Sequence, residues 1–258
     1  MTCLDLTLPT PAENLACDEA LLDYCEAGGA EGWLRFWEAE SVFVVVGYAN
    51  PVATEVNVPA CERAGVPVFR RCSGGGTVLQ GPGCLNYSLV LKIEPGGPLN
   101  GIASANRFIM ERQRAAIQRL LGSETGLRNP PPVPKPGSAA RLEVAVQGHT
   151  DLAIHGRKFS GNAQRRRRHF LLFHGTFLLR FDLALVDTLL RMPARRPEYR
   201  RDRTHGDFLM NLDRTGAAVK RALREAWQAD GPPGSVPRGS ISKLARDKYV
   251  TPEWNFKF

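Results

Sequence analysis

The feature that most constrains the fold of this chain is a short run of mainly β-branched residues, Val42 to Gly47. A continuous apolar run of this length predicts a strand buried on both faces, because a strand with one face in water alternates polar and apolar residues. Such a strand needs covering layers, and a chain of 258 residues is long enough to supply them. The run is far shorter than the roughly 20 residues of a membrane span, so no membrane segment is expected.

Strand and helix patterns follow one another without strict alternation. Proline and an acidic residue in the first turn predict a helix from Pro11 onwards, and helical spacing of apolar residues predicts a second over Ala105 to Leu121. Strand-like segments occur at Trp33 to Trp37, Leu85 to Lys92 and Phe170 to Leu179. This order favours an α+β fold, a mixed β-sheet flanked by helices, over a doubly wound fold.

Composition divides the chain into a body and a tail. Residues 1–230 are predicted to form one domain, the Gly- and Pro-rich residues 231–239 a linker, and residues 240–258 a short tail. A second proline-rich stretch, Leu127 to Ala140, predicts an extended loop inside the domain.

Cysteine usage and the amino terminus bear on the compartment. The six cysteines all lie between Cys3 and Cys84, and no pair has the spacing of a zinc site or a redox motif. The amino terminus carries Asp5 and Glu13 and lacks the pattern of a secretory signal. We therefore expect reduced thiols in a cytoplasmic protein. The cysteine spacings indicate no metal site, and whether a metal binds is left open.

The net charge of +8 indicates an anionic partner. Nucleic acid, an acidic protein and a phosphorylated small molecule each fit such an excess, and composition does not choose among them.

Four local patterns suggest where chemistry takes place. Arg70 and Arg71 precede three glycines, Gly74 to Gly76, so that backbone amides and fixed positive charge can meet a carboxylate or phosphate; the alternative is a flexible turn. Lys158 lies between a strand and small polar residues, where it can stabilise an anionic centre; the alternative is a solvent-facing lysine. His174 lies in an apolar strand, which favours a core histidine over a catalyst.

The fourth pattern is an arginine-rich segment, Arg195 to His205, with few apolar residues to anchor it. This composition is typical of a mobile loop that closes over an anionic ligand, and equally of a solvated linker.

Taken in order, these motifs make the chain resemble the lipoate–protein ligase family, in the superfamily of biotin ligases and lipoyl/octanoyl transferases. The resemblance rests on the runs that begin at Pro11 (PAENLACDEALL), Arg70 (RRCSGGGTV), Gly156 (GRKFSGNAQ) and His174 (HGTFLL). It covers the chain to about residue 225. It implies the biotin/lipoate ligase type of catalytic domain, and the tail resembles only the start of the accessory domain that typical ligases carry.

The resemblance implies an enzyme that activates lipoate, or a related acyl acid, with ATP and Mg²⁺. The product of that step, lipoyl-AMP, then acylates one lysine of an acceptor such as the glycine cleavage H protein or the lipoyl domain of a dehydrogenase E2. A separate polypeptide in place of the accessory domain is a further implied partner.

The resemblance also implies the site. Lys158 takes the catalytic position, contacting the carboxylate and the α-phosphate. The implied substrate- and ATP-binding residues are Arg70, Arg71, Ser73, Gly74, Gly75, Gly76, Thr77, Asn86, Asp151, Ser160, Gly161, Asn162, Ala163, His174, Gly175, Thr176, Arg200 and Arg203.

Two alternatives remain open. Octanoyltransferases of the same superfamily need no ATP and form a thioester on a cysteine, for which Cys72 and Cys84, on either side of the glycines, are the available candidates. No cysteine follows Cys84, which favours a packing or lining role for both. The second alternative is a nucleic-acid-binding protein without catalysis, suggested by Arg165 to Arg168 and disfavoured because the basic clusters fall on family motifs.

Overall fold

The computed structural model describes residues 1–123, 142–193, 195–232 and 234–258. The predicted loop at Leu127 to Ala140 lies outside the described residues.

The strands are β1 (Thr2–Asp5), β2 (Trp33–Glu38), β3 (Phe43–Val46), β4 (Val68–Arg70), β5 (Val78–Gln80), β6 (Cys84–Lys92), β7 (Val144–Gln147), β8 (Asp151–Ile154), β9 (Arg157–Arg166) and β10 (Phe170–Leu178). The helices are α1 (Pro11–Glu26), α2 (Val52–Glu55), α3 (Val58–Arg63), α4 (Ile102–Leu121), α5 (Ala184–Leu189), α6 (His205–Phe208), α7 (Gly216–Trp227), α8 (Arg238–Leu244) and α9 (Pro252–Asn255), with a 3₁₀ turn at Glu198–Arg200 and a π-helical turn at Ala245–Tyr249.

The strands form two mixed sheets. The larger has seven strands in the order β1-β2-β6-β10-β9-β8-β7, and only its β1–β2 pair is parallel. The smaller has three strands in the order β4-β3-β5, with β3 parallel to β4 and antiparallel to β5. The predicted α+β fold with a mixed sheet and flanking helices is confirmed.

Strand β2 shows how the larger sheet is covered on both faces. Trp33 and Trp37 belong to the apolar cluster that includes α1, whereas Leu34 and Phe36 belong to the cluster that includes α4 and α7. Alternate side chains of a strand point to opposite faces, so α1 covers one face of the sheet and the α4–α7 pair covers the other. The face under α1 carries the site described below.

Strand β3 confirms the expectation drawn from the apolar run. Phe43 to Val46 are all buried, and β3 is the central strand of the smaller sheet. Helix α1 begins at Pro11 as predicted, where Thr10 and Glu13 form a reciprocal capping box. No helix among the described residues is long and apolar enough to cross a membrane.

The carboxyl-terminal tail is packed onto the body of the protein. Ile241, Ala245 and Tyr249 belong to the same apolar cluster as α1. Lys248 forms an ion pair with Glu19 of α1 at 2.7 Å, and the Tyr249 hydroxyl donates to the same carboxylate at 2.8 Å. The tail is therefore held both by apolar contacts and by charge.

Arg70 ties the tail to the smaller sheet. Its guanidinium is fully buried and donates to five carbonyl oxygens, at 2.8 to 3.1 Å. Three of these oxygens belong to the loop after β3 and two to the tail; they are the carbonyls of Gly47, Tyr48, Asn50, Trp254 and Asn255. Each nitrogen of the guanidinium is thus engaged with these carbonyls, which gives Arg70 a structural role in this geometry.

We expect the substitution Arg70→Met to destabilise the fold rather than to weaken ligand binding. Methionine keeps most of the apolar volume but leaves five carbonyls without their donor, which should lower the free energy of unfolding by at least about 3 kcal/mol. Urea unfolding of this variant and of a control, Arg63→Met at the exposed end of α3, measures the difference. An Arg70→Met protein of normal stability would contradict this structural role.

Candidate functional site

A cavity of about 1070 Å³ opens on the face of the larger sheet that α1 covers. Its walls come from the α1 face, the glycine loop (residues 74–76), strands β8 to β10 and the arginine-rich segment. Of the residues implied by resemblance, it is lined by Arg71, Gly75, Gly76, Thr77, Asn86, Asp151, Lys158, Ser160, Gly161, Asn162, Ala163, His174, Gly175, Thr176 and Arg200. Arg70, Ser73, Gly74, Arg203, Cys72 and Cys84 are not among its lining residues.

A bulge in β9 brings Lys158 into the cavity. Gly161 pairs with Asp151 and Ser160 with Leu152, but Ala153 then pairs with Lys158, so that Phe159 is the extra residue. Residues three apart on a regular strand point to opposite faces. The bulge turns Lys158 onto the same face as Gly161, while Phe159 enters the apolar core on the other side.

The Lys158 amine is held by a carboxylate. Its Nζ atom lies 2.7 Å from Asp151 Oδ1, and the Tyr199 hydroxyl donates to Asp151 Oδ2 at 2.7 Å. The absence of a side chain at Gly161 gives the amine its space, since a Cβ atom there would lie 2.6 Å from Lys158 Nζ. The lysine therefore presents an oriented, partly compensated positive charge to the cavity.

The carbonyl groups of the glycine loop accept hydrogen bonds from protein side chains, and its amides remain free at the cavity. Arg71 Nη2 donates to the carbonyls of Gly74 at 2.6 Å and Gly76 at 2.7 Å, and Asn50 Nδ2 donates to that of Gly75 at 3.0 Å. Within the described ranges, the three glycine amides have no hydrogen-bond acceptor. Consecutive free amides form an anion-binding concavity.

The loop is also fixed at its far end. Glu55 of α2 accepts hydrogen bonds from the hydroxyl and the amide of Thr77, and from Asn50 Nδ2 at 2.8 Å. The sequence offered no signal for Glu55, which belongs to a four-residue helix outside the recognised motifs.

A buried chain of polar side chains connects the core to this loop. Asp18 forms an ion pair with Arg35 at 2.7 Å and contacts His174 Nδ1 at 3.2 Å. His174 Nε2 lies 2.6 Å from Ser73 Oγ, which also accepts from Arg71 Nε at 3.1 Å. His174 thus bridges the Asp18 carboxylate and the Ser73 hydroxyl through its two ring nitrogens. His174 is thus a satisfied core histidine, as its apolar strand favoured, and also a cavity wall.

The pKa of Asp18 reflects this setting. Burial alone would raise the pKa of the carboxyl, but the charge of Arg35 and the hydrogen bond to His174 outweigh it and lower the pKa below its ordinary value. Burial lowers the pKa of Arg71 to about 10, which leaves the guanidinium charged at neutral pH.

Several buried polar atoms at the cavity have no partner among the described residues. They are Gln80 Oε1, Asn86 Nδ2, Ser160 Oγ, Arg200 Nη2 and His205 Nε2. A buried polar group without a hydrogen bond is costly, so this concentration of free donors and acceptors indicates a surface shaped for a polar ligand.

The arginine-rich segment is anchored on the cavity rim by Phe208. Arg200 and Arg203 stack over this ring at 4.8 and 5.2 Å, and Arg203 donates to the carbonyl of Gly156 at 2.9 Å. Arg200 therefore faces the cavity, whereas Arg203 holds the segment in place.

The two candidate cysteine nucleophiles lie in the protein interior. Cys72 and Cys84 are 3% and 0% exposed. Burial raises the pKa of each thiol to about 12, so that at neutral pH thiolate is almost absent. Neither residue has the exposure or the ionisation of a reactive cysteine.

No group of three or more His, Cys, Asp or Glu side chains suited to a metal ion occurs in the described part of the chain.

We expect Asp18→Asn to destabilise the protein strongly at neutral pH. The folded-state pKa of Asp18 is lowered, so its stabilising contribution is present above the ordinary pKa near 4 and lost as pH falls through the folded value. The variant leaves a buried Arg35 uncompensated, which costs about 3–5 kcal/mol. Urea unfolding at pH 7 and pH 3 should show this cost shrinking in acid.

The control for this experiment is Asp23→Asn, on the same helix. Asp23 pairs with Arg167 on a more exposed surface, where such pairs contribute at most about 1 kcal/mol. Equal losses in the two variants would contradict the role given to Asp18.

The geometry agrees with comparisons to known proteins. The octanoyltransferase LipM of Geobacillus kaustophilus is 28% identical over 276 residues, covering 96% of this chain and 94% of the relative. A chain of a solved archaeal lipoylation system, a bipartite lipoate protein ligase and its E2 lipoyl domain from Thermoplasma acidophilum, superposes with a TM-score of 0.74 at 25% identity, covering 99% of this chain and 95% of that one. A lipoate-protein ligase A bound with ATP gives a TM-score of 0.71 at 26% identity, with coverage of 99% and 98%.

The resemblance inferred from the motifs is confirmed. Residues 10–221 match the family described as the lipoyl protein ligase A/B catalytic domain. This match spans most of the chain, including Lys158, the glycine loop and the cavity. The protein belongs to the lipoyl protein ligase A/B catalytic domain family.

Proposed function

We propose that this protein attaches a lipoyl or octanoyl group to a lysine of an acceptor protein domain, and that no cysteine of this chain carries the acyl group on the way. The observation that supports this most is the cavity itself. It combines the Lys158 amine with the free amides of Gly75 and Gly76, and none of its lining residues is a cysteine. These groups can position the reactants and stabilise the negative charge of the transition state, but they do not provide a nucleophile for covalent catalysis.

In this proposal, the reacting carbonyl and its anionic leaving group lie between Lys158 and the glycine loop. Attack by the acceptor amine places negative charge on the carbonyl oxygen and then on the leaving group. A fixed cation and oriented amides stabilise such charge without having to reorganise during the reaction. Asp151 and Tyr199 keep the Lys158 amine oriented before substrate arrives.

Two apolar regions of the cavity suit the two ends of an acyl donor. One is lined by Leu15, Trp37 and Val45 beneath α1, all at most 5% exposed, and it is the region proposed for the acyl chain. The other, formed by residues such as Phe181 and Leu190, adjoins Arg200 and His205. Its combination of apolar surface and free donors suits a nucleotide.

The geometry favours an acyl-adenylate as the donor. Here the protein would join the carboxylate of lipoate, or a related acid, to the α-phosphate of ATP with release of pyrophosphate, and the acceptor lysine would then displace AMP. The proposal is supported by the anion-binding loop next to Lys158 and by the likeness to a ligase solved with ATP. Any Mg²⁺ would depend largely on phosphate oxygens and water, which is how this ion commonly binds with nucleotides.

A second candidate is direct transfer of an octanoyl group from a thioester donor without ATP. The name of the Geobacillus relative favours it over the ligase reaction. Since the burial of Cys72 and Cys84 opposes a thioester on this chain, the neutral amine of the acceptor lysine would attack the thioester carbonyl of the donor directly. The amide bond forms as the C–S bond breaks, and the donor's thiolate leaves and takes up the proton lost by the amine.

The test is the mass of an unmodified lipoyl domain after incubation with the protein. One reaction contains lipoate and Mg-ATP, one contains octanoyl-carrier protein without ATP, and each has a control lacking enzyme. Acylation in the first alone supports the ligase reaction, and acylation in the second alone supports the transferase. No acylation in either would overturn the proposed function.

We expect Lys158→Met to lower the rate of acceptor acylation by about 10²–10³-fold, the loss typical of removing one group that stabilises a developing charge. The unfolding midpoint should fall only modestly, since Asp151 loses its ion pair but keeps the hydrogen bond from the Tyr199 hydroxyl. Lys92→Met, which removes an exposed lysine from β6, is the matched control. A Lys158→Met protein with near-normal activity would refute the role proposed for this residue.

A further inference from the structure

A cluster of cations and aromatic rings lies outside the cavity, around Tyr48. Arg165 lies 5.7 Å and Lys257 4.8 Å from the centre of the Tyr48 ring. Trp254 and Phe258 pack against the same ring at 5.8 and 6.3 Å. These five residues, Tyr48, Arg165, Trp254, Lys257 and Phe258, are called the Tyr48 patch below.

The two cations of the patch have no acidic partner within the described ranges. Among the residues that the structure describes, Arg165 Nε is buried without a hydrogen bond, and Lys257 donates only to the Tyr48 hydroxyl, at 3.2 Å. Neighbouring cations are neutralised, since Lys248 pairs with Glu19 and Arg167 with Asp23. The positive charges of Arg165 and Lys257, both next to the Tyr48 ring, repel each other. Binding of an anionic group would relieve this repulsion, so the patch favours an anionic partner.

The patch borders the glycine loop. The Tyr48 amide donates to the carbonyl of Ser73 at 2.8 Å, immediately before the three glycines. On β9, Ala163 lies against Gly75 and lines the cavity, and Arg165 follows two residues later on the same face. The cations therefore lie beside the cavity, roughly two residues of strand from its wall.

We propose that the Tyr48 patch is the docking surface for an acidic face of the acceptor protein, next to the lysine that is modified. This inference rests on the proposed function and names the part of the chain that recognises the macromolecular substrate. The acceptor lysine is itself a cation that approaches a chain of net charge +8. Carboxylates beside it, bound by Arg165 and Lys257, would offset that repulsion and orient the lysine towards the cavity.

The composition of the patch favours a protein over a small anion. Phe258 is 51% exposed, and its ring lies 5.0 Å from Lys257 Nζ, so the patch offers exposed apolar surface beside its cations. Aromatic residues and arginine are the types enriched in protein interfaces. The anion site suited to a small donor lies instead inside the cavity, at the glycine amides and Lys158.

The test is a titration of the protein with an unmodified, acidic E2 lipoyl domain, at low and high salt. We expect the double charge reversal Arg165→Glu with Lys257→Glu to raise the dissociation constant at least about tenfold at low salt and to reduce its salt dependence. In the acylation assay, the same variant should raise KM for the acceptor with kcat and the KM for the acyl donor unchanged. Replacing the surface carboxylates of the lipoyl domain with amides should weaken binding to the wild-type protein in the same way.

The matched control is Arg119→Glu with Arg221→Glu, which reverses two exposed arginines on the α4–α7 face. Neutral variants, Arg165→Gln with Lys257→Gln, provide the comparison if the reversed pair unfolds. Equal binding by the patch and control variants would overturn the inference, as would tighter, patch-dependent binding of random duplex DNA. Wild-type protein that binds the domain through the patch without acylating it would instead refute the proposed function and leave the docking surface standing.

Discussion

The ion pair between Arg35 and Asp18 is the contact on which the geometry of the site depends. Both side chains are almost fully buried, and each would be costly alone. Asp18 orients His174, and His174 contacts the Ser73 hydroxyl. Ser73 accepts a hydrogen bond from Arg71, whose side chain also holds the glycine carbonyls. A charge pair between helix α1 and strand β2 thus determines the direction in which the glycine amides point. The glycine loop, which we propose contacts the ligand, needs little packing of its own, because side chains of the core hold it in place.

Lys158 is likewise held in place by the residues around it. A bulge turns its side chain to the cavity, Gly161 leaves room for it, and Asp151 with Tyr199 fixes the amine. Both positive features of the site, the lysine and the amides, are therefore in place before any ligand binds. Preorganised charge of this kind is what acyl transfer through an anionic leaving group requires.

The sequence predicts the elements and most of the motifs that line the cavity, because apolar periodicity and glycine clusters are local signals. It does not predict which side chains of β9 face the cavity, because the bulge at Phe159 depends on how β9 pairs with β8. Nor does it distinguish Arg70 from Arg71: Arg70, the last residue of β4, binds carbonyls of the tail, whereas Arg71, the next residue, holds the glycine loop. Asp18 lies in a recognised motif, but its role becomes visible only when Arg35 and His174, distant in sequence, meet it.

The family holds proteins named as ligases and as octanoyltransferases, and we propose that this chain acylates a lysine without a cysteine intermediate. The most direct measurement is the intact mass of the protein, quenched in acid during turnover while acylated acceptor accumulates. We expect the enzyme to retain its unmodified mass throughout, with either acyl donor. An acyl adduct on Cys72 or Cys84 that forms and decays at the rate of turnover would contradict it.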